Sequence, residues 1–399
     1  MYKRQKLTRI LFPYIFFVSL AALAAGTLNS RGYFGIPALA PALLNVSLIV
    51  TSVFLLRLRS GVTETMVMIF SVGALVGGVL QIAIQLPQLW KTGHRLGFDP
   101  DFRDPGVRWV GRLMLPGLLT FAVTQINILV DTLLATTLPE GSVTALRLGN
   151  RIALQPLGIF GAAITTAILP TLSRHAARRD ISRLLSDFVF STRLVFALII
   201  PSMILLLFLA KPIVRLLFER GEFSAARSTP MTASALVYYA LGLFAYGGSR
   251  SVVQAFYSMK DTVTPMKVSI GAVCTNVALN LVLIGPLGLR GLALATSISG
   301  MVGLVLLVIM LKARLGAVGG SQILKSLIKV VLASAAMGVV AVYVARITQD
   351  LAIDIWGKLI QVFASTLAGL AVYVGLAFAL KIKEIIFVLE IVINKVRKQ

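Results

Sequence analysis

The sequence predicts an all-α, polytopic membrane protein, and three observations carry the prediction. Apolar residues fill 57% of the chain and charged residues only 13%, with a mean hydropathy of +0.90. The apolar residues lie in long runs, many reaching the roughly 20 residues that cross a hydrocarbon core about 30 Å thick. These runs lack the two-residue alternation of a barrel strand, so their backbone amides must bond within helices.

Windows of about 19 residues give eleven expected spans. They lie near 8–28, 37–57, 64–90, 107–136, 142–171, 186–210, 231–256, 265–285, 291–311, 323–345 and 356–380. The first three carry charge only near their ends. In the third, Gly73, Gly77 and Gly78 read as close-packing positions. Span 107–136 opens on Arg108, Trp109 and Arg112, an interfacial anchor. Span 142–171 stands apart, with Arg147 and Arg151 in its first half and Pro156 just behind them. The later spans are mostly apolar, and Lys381 to Gln399 reads as an amphipathic inner-surface anchor that ends in a basic tail, 385–399.

The net charge of +23 is spread over short loops and forms no basic domain, which argues against a nucleic-acid surface. Cations in such loops mark topology and meet anionic membrane lipids. Loops and span ends alternate between two sets. The richer set includes Lys91, Arg95, Arg174, Arg178, Lys312, Lys325 and Lys381; the poorer includes Arg57, Lys211, Arg215, Arg290 and Arg346. The richer set is expected in the cytoplasm, which places the C-terminus inside and residue 7 on the outer face. Cys274, the single cysteine, lies within an apolar run, so no internal disulfide can form. His94 and His175 sit in basic loops without a ligand pattern, so no metal centre is expected.

Residues 1–5 are expected to be a non-native leader, since Tyr2-Lys3-Arg4-Gln5 resembles a translated transposon-end adapter. A weak internal echo points the same way. Ser30 to Pro37 resembles Ser258 to Pro265, and Leu75-Val76-Gly77 resembles Met301-Val302-Gly303, at a spacing of about 228 residues. The echo implies a duplicated bundle from which about 120 residues, or three helices, are missing upstream. The expected organisation is 6–105, half of a first lobe; 106–315, a complete second lobe; and 316–384, two additional helices. On that expectation the chain by itself is inactive.

Two polar groups at membrane depth are candidate sites. Arg147 and Arg151 are i and i+4 on one helix face, with Asn150 between them and Gln155-Pro156 after them. Burying an arginine in a span costs about 2.5–3.5 kcal/mol on insertion scales, so it faces a cavity or a partner, or snorkels to the interface. Guanidinium pairs well with pyrophosphate, and Pro156 frees a backbone bond that could expose a ligand-binding turn. The second group comprises Asp131, the deep carboxylate, with Gln125 and Asn127 before it, Asn276 and Asn280 on one face of another span, and Thr296 on the next. Hard oxygens from several helices could hold Na⁺ or serve a proton; interhelical hydrogen bonding is the alternative. Arg250 either lines the same cavity or meets headgroups.

Several stretches resemble the MurJ/MviN family of lipid II flippases, in the multidrug/oligosaccharidyl-lipid/polysaccharide exporter superfamily. They are 12–30 with 37–47, TQINILVDTLLATTLPEGSVTALRLGNRI (124–152), PLGIFGAAITTAILPTLSRHAA (156–177), FERGEFSA (218–225), FYSMKDTVTPMKV (256–268) and NLVLIGPLGLRGLALATS (280–297). The resemblance implies a fourteen-helix, two-lobe transporter of which this chain carries helices 4–14, the last two forming a lipid-tail groove. It implies alternating-access movement of lipid II, the undecaprenyl-pyrophosphate disaccharide-pentapeptide, across the bacterial inner membrane, without an organic cofactor. Arg151 matches the family's cavity arginine, preceded by Asn150, with Leu154 where some members are acidic. A sodium site of some members maps onto Asp131, Asn276, Asn280, Thr296 and a carbonyl near Leu292, with Asn280 replacing a carboxylate. The alternatives are another polysaccharide-lipid or drug exporter of the superfamily and, from a different class, a membrane glycosyltransferase or phosphatase. Such enzymes need paired carboxylates or a His/Asp set at the membrane face.

Overall fold

In a computed structural model the described residues are 2–57, 64–93, 104–161, 180–316 and 318–387, with isolated positions at 172, 174, 175, 177, 178 and 390. The expectations for His94, Arg95, the second half of span 142–171 and most of the basic tail lie outside them. So do those for the side chains of residues 2–5, Trp109 and Arg112. The described regular structure is helical: α1 (Tyr2–Ser30), α2 (Gly35–Arg57), α3 (Glu64–Ala83), α4 (Leu86–Lys91), α5 (Pro105–Ala135), α6 (Ser142–Ala153) and a π-helical turn (Leu157–Gly161). There follow α7 (Ile181–Phe208), α8 (Ala210–Phe218), α9 (Ser228–Ala240), α10 (Leu243–Ser258), α11 (Val263–Leu287), α12 (Leu289–Leu315), α13 (Gly320–Ile347), a 3₁₀ turn (Gln349–Leu351) and α14 (Ile355–Ala379).

Among the described residues, eight helices are long and apolar enough to cross a membrane: Leu7–Ser30, Gly35–Arg57, Thr65–Lys91, Ile181–Phe208, Val263–Leu287, Leu289–Leu315, Gly320–Ile347 and Ile355–Ala379. Each coincides with one of the eleven expected spans. Expected span 107–136 is one continuous helix, α5, with Phe121–Ala135 as its apolar segment among the described residues; the other two are interrupted. Span 142–171 stops being α-helical after Ala153, because Pro156 cannot donate to the helix ladder, and a π-helical turn follows.

Span 231–256 is two helices, α9 and α10, broken at Leu241–Gly242. The Ser297 hydroxyl of α12 donates to Tyr238 O at 2.6 Å and lies 3.3 Å from Tyr239 O, satisfying carbonyls at the break. A Cβ at position 242 would sit 2.8 Å from Ser297 Cα, so only glycine admits this approach.

The chain forms two compact units, Met1–Arg108 and Trp109–Gln399. In the first, Gly73, Gly77 and Gly78 of α3 face Thr51, Leu44 and Tyr14, where α3 meets α2 and α1. The Ser47 hydroxyl donates to Gly73 O at 2.6 Å across that contact. In the second, Leu146, Ile152, Ile199, Leu236, Leu243 and Leu292 form a core joining α6, α7, α9, α10 and α12. A further cluster of Ala197, Ile200, Val330, Met337 and Ala377 docks α13 and α14 on α7. There Tyr373 Oη donates to Ala197 O at 2.6 Å. Facing outward are large apolar side chains such as Val339, Phe363 and Leu367, as expected of a lipid-contacting surface.

Candidate functional site

α6 is amphipathic in an unusual sense. Ala145, Leu146, Gly149, Ile152 and Ala153 are buried, while Thr144, Arg147, Arg151 and Leu154 are exposed along the opposite face. The buried face lies close against α9: a Cβ at Gly149 would meet Leu236 N at 2.9 Å and Ala235 Cβ at 3.0 Å. That contact fixes the helix rotation and holds both guanidinium groups away from the core. Among the described residues neither arginine makes an ion pair.

The break after α6 is stabilised from α10. Arg250 Nη1 donates to Leu157 O at 3.1 Å, in the π-helical turn behind Arg151. The structure thus gives Arg250 a backbone partner in the turn that follows the α6 arginines.

The second group assembles as a hydrogen-bonded cluster across α5, α11 and α12. Asn280 Nδ2 donates to Asp131 Oδ1 at 2.6 Å, and Asn127 Nδ2 lies 3.5 Å from Asp131 Oδ2. The Asn276 amide is best satisfied with its nitrogen toward the carboxylate: Nδ2 then donates to Asn127 Oδ1 at 2.9 Å and Asp131 Oδ1 at 3.1 Å, and Oδ1 accepts from Thr296 N at 3.1 Å. Thr296 Oγ1 donates to Leu292 O at 3.0 Å, and Tyr246 Oη donates to Thr296 O at 2.8 Å. Asn276 and Asn280 are buried, and Asn280 Oδ1 has no hydrogen-bond partner among the described residues. Carboxylate, amide and hydroxyl oxygens suit a hard cation. In the arrangement seen, however, the amide nitrogens of Asn276 and Asn280, with that of Asn127, face Asp131, so the Asn276 and Asn280 amides must rotate before their oxygens can share a cation with it.

The two groups meet. A pocket of about 90 Å³ is lined by Asp131, Arg147, Asn150, Tyr239 and Leu292 together with apolar neighbours. Arg151 lies one turn beyond it on the exposed face. The sequence reading missed Tyr239, Tyr246 and Ser297; polar groups inside otherwise apolar runs were the available signal. Asp261 and Glu219, within the stretches that resemble the family, also have partners that residue order alone does not reveal.

Asp261 accepts from Val263 N and Thr264 N at the start of α11 and pairs with Arg314 of α12. Burial opposes its ionisation, but the bonds from Thr264 and the Arg314 charge outweigh it and hold the carboxyl below the usual range. Glu219 accepts from Lys358 Nζ at 3.1 Å and Thr229 Oγ1 at 2.9 Å, with Arg215 Nε at 3.4 Å. Here too burial is outweighed, by Lys358, Thr229 and Arg215, and the carboxyl is held low. His175 pairs with Asp187 at 3.3 Å.

Comparison with known proteins places this geometry in context. The model of the family described as Lipid II flippase MurJ matches residues 5–363. A probable lipid II flippase MurJ of Vibrio cholerae is 35% identical over 75% of this chain and 56% of that protein. The lipid II flippase MurJ of Burkholderia cenocepacia is 34% identical over 77% of this chain and 60% of its own length. A probable MurJ of Bdellovibrio bacteriovorus is 32% identical over 95% of this chain and 71% of its own. The chain therefore spans somewhat over half the length of the first two relatives. Among solved structures, a lipid II flippase MurJ in an inward closed conformation superposes with a TM-score of 0.71 at 26% identity, over 93% of this chain and 73% of that one. An inward-facing multidrug MATE transporter shares the fold, with a TM-score of 0.64 at 18% identity over 79% of this chain and 72% of that one.

Proposed function

Because the chain belongs to the MurJ family of lipid II flippases, we propose that the protein moves lipid II from the inner to the outer leaflet of the bacterial cytoplasmic membrane by alternating access. It is a multi-pass membrane protein, and the reading makes it a transporter, not an enzyme. The supporting observation is the exposed face of α6, where Arg147 and Arg151 project one turn apart beside Asn150. Guanidinium groups that make no ion pair among the described residues suit the pyrophosphate of the lipid head, which they bind through paired, charge-assisted hydrogen bonds. Arg250 shapes the backbone turn behind them.

In this reading Asp131, with Asn276, Asn280 and Thr296, seats the coupling Na⁺ or H⁺, and α13–α14 form the groove for the lipid tail. One charge moved through 100 mV contributes about 2.3 kcal/mol, so membrane potential is a useful drive for an anionic head. The C-terminus is assigned to the cytoplasm by the distribution of Lys and Arg.

The test is complementation in cells depleted of their own lipid II flippase, with the chain joined to the segment of a full-length MurJ relative that it does not cover, read by arrival of precursor in the outer leaflet. Arg151→Leu is expected to abolish export and Arg151→Lys to retain part of it, since a point charge replaces a fork. Full export by Arg151→Leu would refute the assignment. Failure of the unsubstituted protein to restore export would favour a different exporter of the superfamily.

A further inference from the structure

At the C-terminal end of α13, a pocket of about 210 Å³ lies among α7, α8, α13 and α14. Lys211, Arg215 and Arg346 line it, against apolar walls that include Phe208 and Val342. Among the described residues no carboxylate lines it. Arg215 is held in place by Glu219 and by donating from Nη2 to Ala352 O at 3.0 Å. Lys211 and Arg346 have no ion-pair partner among the described residues. Gln361, 3% exposed, completes the lining, its Nε2 donating to Ala345 O at 2.8 Å.

Three cations around one cavity repel one another, and Glu219, the acid that Arg215 meets, is shared with Lys358. An anion entering the cavity removes that repulsion. The depth of the pocket indicates which anion. Tyr343 and Trp356 are 66% and 70% exposed at the same ends of α13 and α14, and such aromatic side chains sit at headgroup level. Phosphate esters are the anions of that layer, and apolar walls beside the cations accommodate the start of a lipid's glycerol and acyl region. The volume exceeds the roughly 30 Å³ of one liquid water several-fold, enough for a group of several heavy atoms.

We propose that this pocket binds the phosphate of a lipid headgroup, as an anion site separate from the α6 arginines. Lys211 and Arg346 supply the free charges and Arg215 a pre-positioned fork. The site does not depend on what the protein transports.

The experiment is native mass spectrometry of the detergent-purified protein, equilibrated with an equal mixture of phosphatidylglycerol and phosphatidylcholine, or with inorganic pyrophosphate. Lys211→Gln/Arg346→Gln is expected to lower the retained phosphatidylglycerol about tenfold, whereas Lys325→Gln at the other end of α13 leaves it unchanged. Thermal unfolding confirms that each variant is folded, and the charge-keeping Lys211→Arg/Arg346→Lys is expected to restore binding. Retention of phosphatidylglycerol without pyrophosphate identifies a lipid as the source. Retention of pyrophosphate with the same dependence on the two cations supports the phosphate site but assigns it to a free anion. Lipid and pyrophosphate adducts indifferent to the double substitution overturn the site.

Discussion

Replacing Asn280 with leucine probes the central cluster most directly. The two side chains share one branched skeleton of heavy atoms, with leucine the larger, and the position is fully buried, so the substitution removes an amide without opening a cavity. What is lost is the 2.6 Å bond from Nδ2 to Asp131 Oδ1; Oδ1 of Asn280 has no hydrogen-bond partner to lose among the described residues. Interhelical polar pairs in membranes average about 0.6 kcal/mol and reach about 1.7, while hydrogen bonds to charged groups run about 1.5–3 kcal/mol. Asp131 keeps contacts with Asn276 and Asn127, which softens the loss. A coupling of about 1–1.5 kcal/mol is therefore expected, roughly a five- to thirteenfold change in the unfolding equilibrium. The assay is a double-mutant cycle of Asn280→Leu and Asp131→Leu, with stability read from unfolding in mixed micelles. A coupling below about 0.3 kcal/mol would mean that the short distance carries no net interaction, and the cluster would lose its claim to hold Asp131 in place.

Other outcomes follow from the same geometry. Gly149→Leu is expected to cost about 1–3 kcal/mol by forcing α6 from α9, and to impair precursor export by displacing the arginine face; unchanged stability and export would contradict the packing argument. Ser297→Ala leaves the Tyr238 carbonyl at the helix break without its hydroxyl donor, and a loss of about 1 kcal/mol in the same unfolding assay is expected. The Glu219 carboxyl is held below its ordinary value, so its contribution to stability is present above about pH 5 and fades as pH falls through the depressed value. The stability gap between wild type and Glu219→Gln should then be flat near neutrality and close in acid; a gap that widens in acid would reverse the sign.

Hydropathy is a property of short windows, so eight spans were legible in residue order alone. So was the shared face of Arg147 and Arg151, since helical periodicity fixes which side chains align. The same periodicity paired Asn276 with Asn280. The break within 231–256 was not legible, because it depends on something distant: Ser297, on another helix, supplies the hydroxyl that makes a break at Gly242 tolerable in hydrocarbon.

Local chemistry, then, determined that this is a helical membrane protein, which residues bear charge inside it, and which of them align on one helix. Tertiary structure alone decided who meets whom. Asp131 and Asn280 are 149 positions apart, and Arg250 finds the carbonyl of Leu157 across a helix interface. Inside a membrane a polar group must find a partner wherever the fold brings one, and that partner is chosen by packing geometry, which no window of neighbouring residues encodes.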